Sequence, residues 1–136
     1  MHQKFGTLIY AAPEVLKGCY TEKCDIWSCG IILYILLCGY PPFKAKDEET
    51  IIALIENGQF SFDSFEWKQV SAEAKSLISR MLNLNPHLRP TAEECLNDVW
   101  LKKSLIPLDC SKDVLGKALI NLKNFRVNFN FCEVQI

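Results

Sequence analysis

The stretch that decides the fold is residues 26–43, IWSCGIILYILLCGYPPF, in which no side chain is charged. Its length approaches the about 20 apolar residues that a helix needs to cross a membrane. The stretch nevertheless contains Ser28, Gly30 and Gly39 and ends with a pair of prolines, which cannot continue a helix. We therefore predict a helix at about residues 23–38 that is surrounded by protein on nearly every face.

Length and composition are those of an ordinary soluble globular domain. The chain has 136 residues, of which 49% are hydrophobic and 23% are charged, unlike disordered or collagen-like chains. Fifteen Lys and Arg residues against sixteen Asp and Glu residues leave a net charge of −1. This balance predicts neither a nucleic-acid partner nor a membrane partner. Because residues 1–4 lead into no apolar signal segment, we expect a cytoplasmic protein.

The seven cysteines do not have the pattern of a disulfide framework, because their number is odd and most have apolar neighbours. No two of them are two to four residues apart, and His2 and His87 are the only histidines, so the pattern does not favour zinc. We therefore interpret the cysteines as small buried apolar side chains and predict no metal site.

Helix signals recur along the rest of the chain. The predicted helices cover about residues 12–17, 23–38, 47–57 and 71–82, and a fifth begins at residue 91. Asp47 and Ser71 are suited to cap the N-termini of two of them, and Thr91 and Glu94 have the spacing of a capping box. Residues 60–63 alternate like a short strand. The predicted fold class is all-α, with about five helices.

Four motifs then follow one another in order, and together they resemble the eukaryotic protein kinase family. They are GTLIYAAPE at residues 6–14, DIWSCG at 25–30, LLCGYPPF at 36–43 and NPHLRPTA at 85–92. The sequence of residues 23–43 is most similar to that of calcium-dependent and calmodulin-dependent Ser/Thr kinases. The resemblance implies that residues 1–101 are a partial kinase domain, comprising the end of the activation segment and the helices of the C-terminal lobe.

The resemblance assigns substrate-binding roles to residues near the start of the chain. The Thr7 hydroxyl would bond the catalytic aspartate and lysine of the family, while Leu8 and Tyr10 would shape the wall of the pocket for the phosphoacceptor. A plain Gly-Thr turn without a ligand is the alternative interpretation.

Three further residues match structural positions of the family. Glu14 and Arg89 would form a largely buried ion pair that clamps the substrate segment to the helical base. Asp25 would anchor the catalytic loop by accepting hydrogen bonds from its backbone amides. That loop is absent from this sequence.

Phosphoryl transfer in this family needs a glycine-rich loop, a strand lysine, a catalytic-loop aspartate and asparagine, and a metal-binding aspartate. None of these motifs occurs in the sequence, so no catalytic residue is predicted. The chain is expected to be a piece of a larger kinase that binds ATP and Mg. By itself, the chain is expected to bind neither ATP nor Mg and to be inactive.

Residues 102–126 are interpreted as a C-terminal extension carrying an amphipathic helix, and residues 127–136 as an unassigned tail. The segment 111–126 has a local charge of about +3 and apolar residues at helical spacing. Its candidate regulatory residues are Leu115, Leu119, Leu122, Lys123, Phe125 and Arg126. A plain terminal helix packed on the lobe is one interpretation, and a helix of the calmodulin-target type is the other.

The last part of that segment is similar to the autoinhibitory junction of calcium-dependent protein kinases, which an EF-hand domain removes when it binds calcium. The leading hypothesis is therefore a Ser/Thr kinase of the calcium-dependent type, which transfers the ATP γ-phosphate to a protein substrate. The alternative is a non-catalytic, pseudokinase-like module that binds a partner through its basic C-terminal helix. Calmodulin or an EF-hand domain is the partner expected at residues 111–126.

Overall fold

The computed structural model describes residues 8–104, which form helices joined by short turns, without a β-strand in that range. The α-helices are α1 (Pro13–Leu16), α2 (Glu22–Cys38), α3 (Glu48–Asn57), α4 (Ala72–Met81), α5 (Ala92–Leu96) and α6 (Val99–Ser104). Two 3-10 helices lie at Phe65–Gln69 and Pro86–Leu88. The predicted all-α fold class is confirmed.

Three of the predicted helix starts are confirmed by their caps. The Asp47 side chain accepts a hydrogen bond from the Thr50 amide, at 3.0 Å, and Ser71 caps α4 in the same way. Thr91 and Glu94 form the expected capping box at the start of α5. These bonds satisfy amides at the helix N-termini that have no partner within the helix.

The long helix α2 is the centre of the core. It packs against α4 and both 3-10 helices. Trp27 and Ile31 of α2 are fully buried, and the Trp27 ring stacks on Phe43 with centroids 5.7 Å apart. At Gly30 a Cβ atom would lie 3.0 Å from both Met81 and Leu82. Glycine therefore allows α2 and α4 to approach closely.

The C-terminal half of α2 packs into an aromatic cluster. The Tyr34 ring lies 4.6 Å from the Trp67 ring, and Phe62 lies 4.7 Å from Trp67, between centroids. The Tyr34 hydroxyl donates a hydrogen bond to the Ser61 carbonyl at 2.7 Å. The cluster ties the chain between α3 and α4 to the central helix.

One side of α2 is not covered, and the prediction of burial on nearly every face is wrong in this respect. Asp25, Cys29 and Ile32 are all exposed, and their spacing of four and three residues places them on one line of the helix. Ile32 retains 45% of its accessible surface. Apolar composition shows that a helix can be buried, but it does not specify which sides have neighbours.

Two other local features were not predicted from the sequence. Residues 60–63 alternate in polarity but form no strand, and Trp67 lies in a 3-10 helix. The predicted fifth helix starts after Thr91 as expected and ends at Leu96, and a further helix, α6, starts at Val99. The Asp98 carboxylate accepts a hydrogen bond from the Trp100 amide at 3.0 Å, which supports a new helix start.

The interpretation of the cysteines as buried side chains is only partly right. Cys38 and Cys95 are buried, whereas Cys19 and Cys29 are exposed and Cys24 is half-buried. Burial raises the pKa of the Cys38 thiol to about 12. Within residues 8–104, no helix is both long and apolar enough to cross a membrane.

Candidate functional site

Arg89 lies at the centre of the candidate site, and its side chain is fully buried. Its two terminal nitrogens donate hydrogen bonds to the two carboxylate oxygens of Glu14, at 2.6 and 2.8 Å. The Glu14 side chain is 13% exposed. This bidentate arrangement connects α1 to the loop between α4 and α5, and it is the geometry that a planar guanidinium favours.

Two further N–H groups of the Arg89 side chain bond to backbone carbonyls. Its Nε donates to the Asn83 carbonyl at 2.8 Å, and a terminal nitrogen donates to the Lys23 carbonyl at 3.0 Å. Lys23 reciprocates, because its Nζ donates to the Arg89 carbonyl at 2.5 Å. The guanidinium also lies over the Trp27 ring, 5.0 Å from its centroid. A buried charge is tolerated here because its hydrogen bonds are made.

Electrostatics favour the charged form of Glu14. Burial by itself would raise the pKa of this carboxyl group. The hydrogen bond from Arg89, a hydrogen bond from the Glu14 backbone and the positive charge of Arg89 together outweigh burial and leave the pKa below its ordinary value. Glu14 is therefore ionised at neutral pH. The pair joins two opposite charges in a largely desolvated position.

The segment in front of α1 is packed onto α2. Leu8, Ile9 and Ala12 are buried in the main core cluster, while Tyr10 is half-buried. The single proton of the Ser28 hydroxyl is shared between the Tyr10 carbonyl, at 2.9 Å, and the Cys24 carbonyl, at 3.2 Å. A polar group of the central helix thus holds the backbone of this segment directly.

Asp25 lies on the exposed line of α2, apart from this network. Among residues 8–104 its carboxylate has no hydrogen-bond partner. Thr7 and the six candidate regulatory residues at 115–126 lie outside the described residues. The structure thus joins Glu14 to Arg89, and it places Leu8 in the core, Tyr10 at its edge and Asp25 on the surface.

A pocket of about 540 Å³ opens at the other end of α2. It lies between the loop that follows α2 and the chain that follows α3. Its lining residues are Tyr34, Tyr40, Pro41, Pro42, Lys44, Leu54, Gln59, Phe60, Ser61 and Ser64. No member of the Glu14 and Arg89 network lines it.

Within residues 8–104, no group of three or more His, Cys, Asp or Glu side chains is placed to hold a metal ion. The sequence also lacks the phosphate-binding and metal-binding motifs described above.

Lys23, Trp27 and Ser28 take part in the site but were assigned no role from the sequence. Ser28 had a usable signal, since a hydroxyl group inside an apolar helix needs a hydrogen-bond acceptor when it is shielded from water. No comparable signal in the sequence points to the role of Lys23, because a lysine in the first turn of a helix is ordinarily solvated. Its partner carbonyl lies 66 residues away in the chain.

Comparison with known proteins assigns the sequence of the chain to a family. Residues 1–101 match the family described as "Protein kinase domain". The chain is 42% identical over 127 residues to "Calcium-dependent protein kinase 3" of Plasmodium berghei, a match that covers 92% of this chain and 23% of that protein. It is 43% identical over 130 residues to "Calcium-dependent protein kinase 5" of Plasmodium falciparum, covering 96% of this chain and 22% of the relative.

A third relative, "Calcium-dependent protein kinase 4" of Plasmodium berghei, is 41% identical over 128 residues, covering 93% of this chain and 24% of the relative. The chain thus spans about a quarter of the length of the curated relatives that it matches. The family match at residues 1–101 contains both Glu14 and Arg89, as well as the central helix α2, which lies between them in the chain. The chain therefore belongs to the protein kinase family.

Proposed function

We propose that this chain forms the substrate-binding helical part of a Ser/Thr protein kinase of the calcium-dependent type. The reaction would be transfer of the ATP γ-phosphate to a serine or threonine hydroxyl of a protein substrate. The observation that carries the proposal is the bidentate bond of the buried Arg89 to Glu14, which fixes the segment in front of α1 to the helical base. The family of the chain and the names of its relatives support the same activity.

In this proposal the described residues position the substrate but perform no chemistry. Ser28 holds the Tyr10 carbonyl, and the buried Leu8 anchors the backbone beside it. Thr7 and Tyr10 would then face the phosphoacceptor. The exposed carboxylate of Asp25 would accept amides of a catalytic loop that lies outside this sequence. ATP and Mg would be held there too, since the phosphate-binding and metal-binding motifs of the family do not occur in this sequence.

We also propose that residues 102–126 are a regulatory extension that responds to calcium through an EF-hand domain or calmodulin. The basic, amphipathic pattern of residues 111–126 supports this role. The relatives match 92–96% of the chain, so their similarity must continue beyond residue 101, where the kinase-domain match ends.

A chimeric kinase tests the proposed activity. Residues 1–126 of this chain would replace the matching residues of the Plasmodium berghei "Calcium-dependent protein kinase 3", and phosphate transfer from ATP to a serine peptide would be measured. We expect calcium-stimulated transfer by the chimera and none by the 136-residue chain alone. A folded chimera without transfer would contradict the substrate-binding role, and turnover by the chain alone would contradict the assignment of chemistry elsewhere.

The same assay separates this proposal from an interaction module. A chimera that folds and binds calmodulin through residues 111–126 but transfers no phosphate would favour the non-catalytic alternative. The Arg89→Met chimera serves as the matched control, because it removes the clamp and leaves the extension intact. We expect it to lose transfer while calmodulin binding is retained.

A further inference from the structure

Lys23 lies in the first turn of α2, where a positive charge is unfavourable because the helix dipole makes this end positive. Its backbone amide donates a hydrogen bond to the Thr21 hydroxyl at 3.2 Å as part of the helix cap, a role that any residue other than proline could fill. The ammonium group is therefore placed against the local preference. A side chain that breaks a local preference is expected where tertiary contacts or function require it.

The tertiary contacts of Lys23 are with both ends of Arg89. Lys23 Nζ donates a hydrogen bond to the Arg89 carbonyl at 2.5 Å, and the Arg89 guanidinium donates one to the Lys23 carbonyl at 3.0 Å. The backbone of Arg89 belongs to the loop between the second 3-10 helix (Pro86–Leu88) and α5. Lys23 thus fixes the root of the Arg89 side chain as well as its tip, and a charged donor makes the stronger kind of hydrogen bond.

The helix α2 consequently holds the chain around the start of α1 at two points. Ser28 bonds to the Tyr10 carbonyl, in front of α1. Lys23 acts through Arg89, whose guanidinium holds both carboxylate oxygens of Glu14. A segment attached at one point can pivot, whereas attachment at two points fixes its direction along α2. This matters for a binding segment, because a displacement of about 1 Å is enough to impair a site.

The charge of Lys23 has a second neighbour at the start of α5. Hydrogen bonds with Thr91 lower the pKa of the Glu94 carboxyl group, and the positive charge of Lys23 contributes to the same shift. Thr91 and Glu94 form the capping box that follows the Arg89 loop. Lysine and arginine can both supply a charge and a hydrogen-bond donor at this position, whereas methionine can supply neither.

We propose that Lys23 is a positioning residue for the peptide substrate. Its ammonium group keeps Arg89, and through Arg89 the segment in front of α1, in the orientation that binds the peptide. Lys23 touches neither the peptide nor ATP, so its removal weakens peptide binding and leaves ATP binding unchanged. The inference rests on the substrate-binding role proposed above and adds a residue that sets the strength of that binding.

Steady-state kinetics of the chimeric kinase test this role. Lys23→Met removes the ammonium group and retains most of the apolar stem, whereas Lys23→Arg retains a charged donor. We expect Lys23→Met to raise KM for the serine peptide roughly tenfold, as for loss of a hydrogen bond from a charged group, with KM for ATP and kcat unchanged. Lys23→Arg should recover most of this loss. Lys46→Met, at an exposed lysine before α3, should change none of these values.

The KM values separate a positioning role from a purely structural one. A substitution that only destabilises the fold lowers the amount of active enzyme, so it lowers the apparent kcat and leaves KM for the peptide unchanged. That result for Lys23→Met, or an equal rise in the KM values for peptide and ATP, would overturn the proposal. An unchanged KM for ATP also shows that the variant is folded.

Hydrogen exchange of the 136-residue chain keeps this inference separate from the proposed function. Lys23→Met should speed amide exchange roughly tenfold in residues 8–16 and 83–91 and leave α3 unchanged, whether or not the chimera transfers phosphate. An unmodified chimera without transfer would contradict the proposed function. Unchanged exchange at residues 8–16, or an equal increase in α3, would contradict the role of Lys23.

Discussion

Arg89 holds both carboxylate oxygens of Glu14, although the two residues are 75 positions apart in the chain. The Arg89 side chain is fully buried, and its remaining nitrogen bonds are to the carbonyls of Asn83 and Lys23. This pair connects the segment predicted to meet the substrate with the loop between the last helices. Its loss should therefore affect both stability and the position of that segment.

Arg89→Met should lower the free energy of unfolding by roughly 3–5 kcal/mol, because it leaves the Glu14 carboxylate without its countercharge in a desolvated position. Urea denaturation followed by circular dichroism measures the change. Lys103→Met is the control, since it breaks an ion pair with Glu73 in which both side chains are exposed. The control substitution should lower the free energy of unfolding by less than about 1 kcal/mol. Similar losses in the two variants would contradict the burial of the pair.

Acid should weaken the contribution of Glu14 to stability. Because its pKa is lowered in the folded chain, the stabilisation is complete at neutral pH and is lost as the pH falls below the ordinary value of 4.5 and through the folded pKa. The difference in unfolding free energy between the native chain and Glu14→Gln should therefore shrink on acidification. Urea titrations at several pH values measure it.

Other carboxylates do not disturb this comparison. Hydrogen bonds from Thr50 and Thr91 lower the pKa values of Asp47 and Glu94, respectively. These groups titrate in a similar range, but they are present in both proteins and cancel in the difference. If the difference in unfolding free energy between the native chain and Glu14→Gln stays constant or widens toward low pH, Glu14 is not the titrating group.

Ser28→Ala should loosen the segment of residues 8–12, because it removes the hydrogen bond to the Tyr10 carbonyl. A cost of about 1 kcal/mol is expected, which corresponds to roughly fivefold faster amide exchange if the segment opens locally. Hydrogen exchange with peptide mapping measures this. Ser79→Ala, at an exposed position of α4, should leave the exchange unchanged. Uniformly faster exchange along the chain would instead indicate global destabilisation.

Gly30→Ala should destabilise the chain although alanine is the better helix former. The gain in helix propensity is about 0.5–1 kcal/mol, whereas overpacking a core contact costs typically 1–3 kcal/mol. The new Cβ would lie 3.0 Å from the Met81 Cβ, which is fixed to the backbone of α4. Cys29→Ala changes the adjacent exposed position and serves as the control in the same thermal denaturation experiment. A more stable Gly30→Ala variant would show that α4 can move away.

Among the described cysteines, exposed thiols should be alkylated faster than buried thiols. Cys19 and Cys29 are exposed and should react first with iodoacetamide, while Cys38 and Cys95 should react at least about tenfold more slowly. Burial limits access and also raises the pKa values of both slow thiols, so that little thiolate forms. Mass spectrometry of tryptic peptides measures each rate. Rapid alkylation of Cys38 in the folded chain would contradict its place in the core.

The sequence by itself determined the elements and the family. The helix caps at Asp47, Ser71 and Thr91 depend on residues three positions apart, so local spacing was enough to predict them. The motifs at residues 6–14, 25–30, 36–43 and 85–92 were likewise sufficient for the resemblance to kinases, which the family match confirms. The interpretation of Glu14 and Arg89 as partners came from that resemblance and not from spacing.

Only the tertiary structure decided which groups meet and which faces remain open. The reciprocal bonds of Lys23 and Arg89, the hold of Ser28 on Tyr10 and the pocket beside Lys44 join residues that are distant in the chain. The exposed line of Asp25, Cys29 and Ile32 could not be seen in an apolar stretch. The physical reason is that periodicity reports which side of a helix can be buried, whereas burial and pairing depend on how the helices pack against one another.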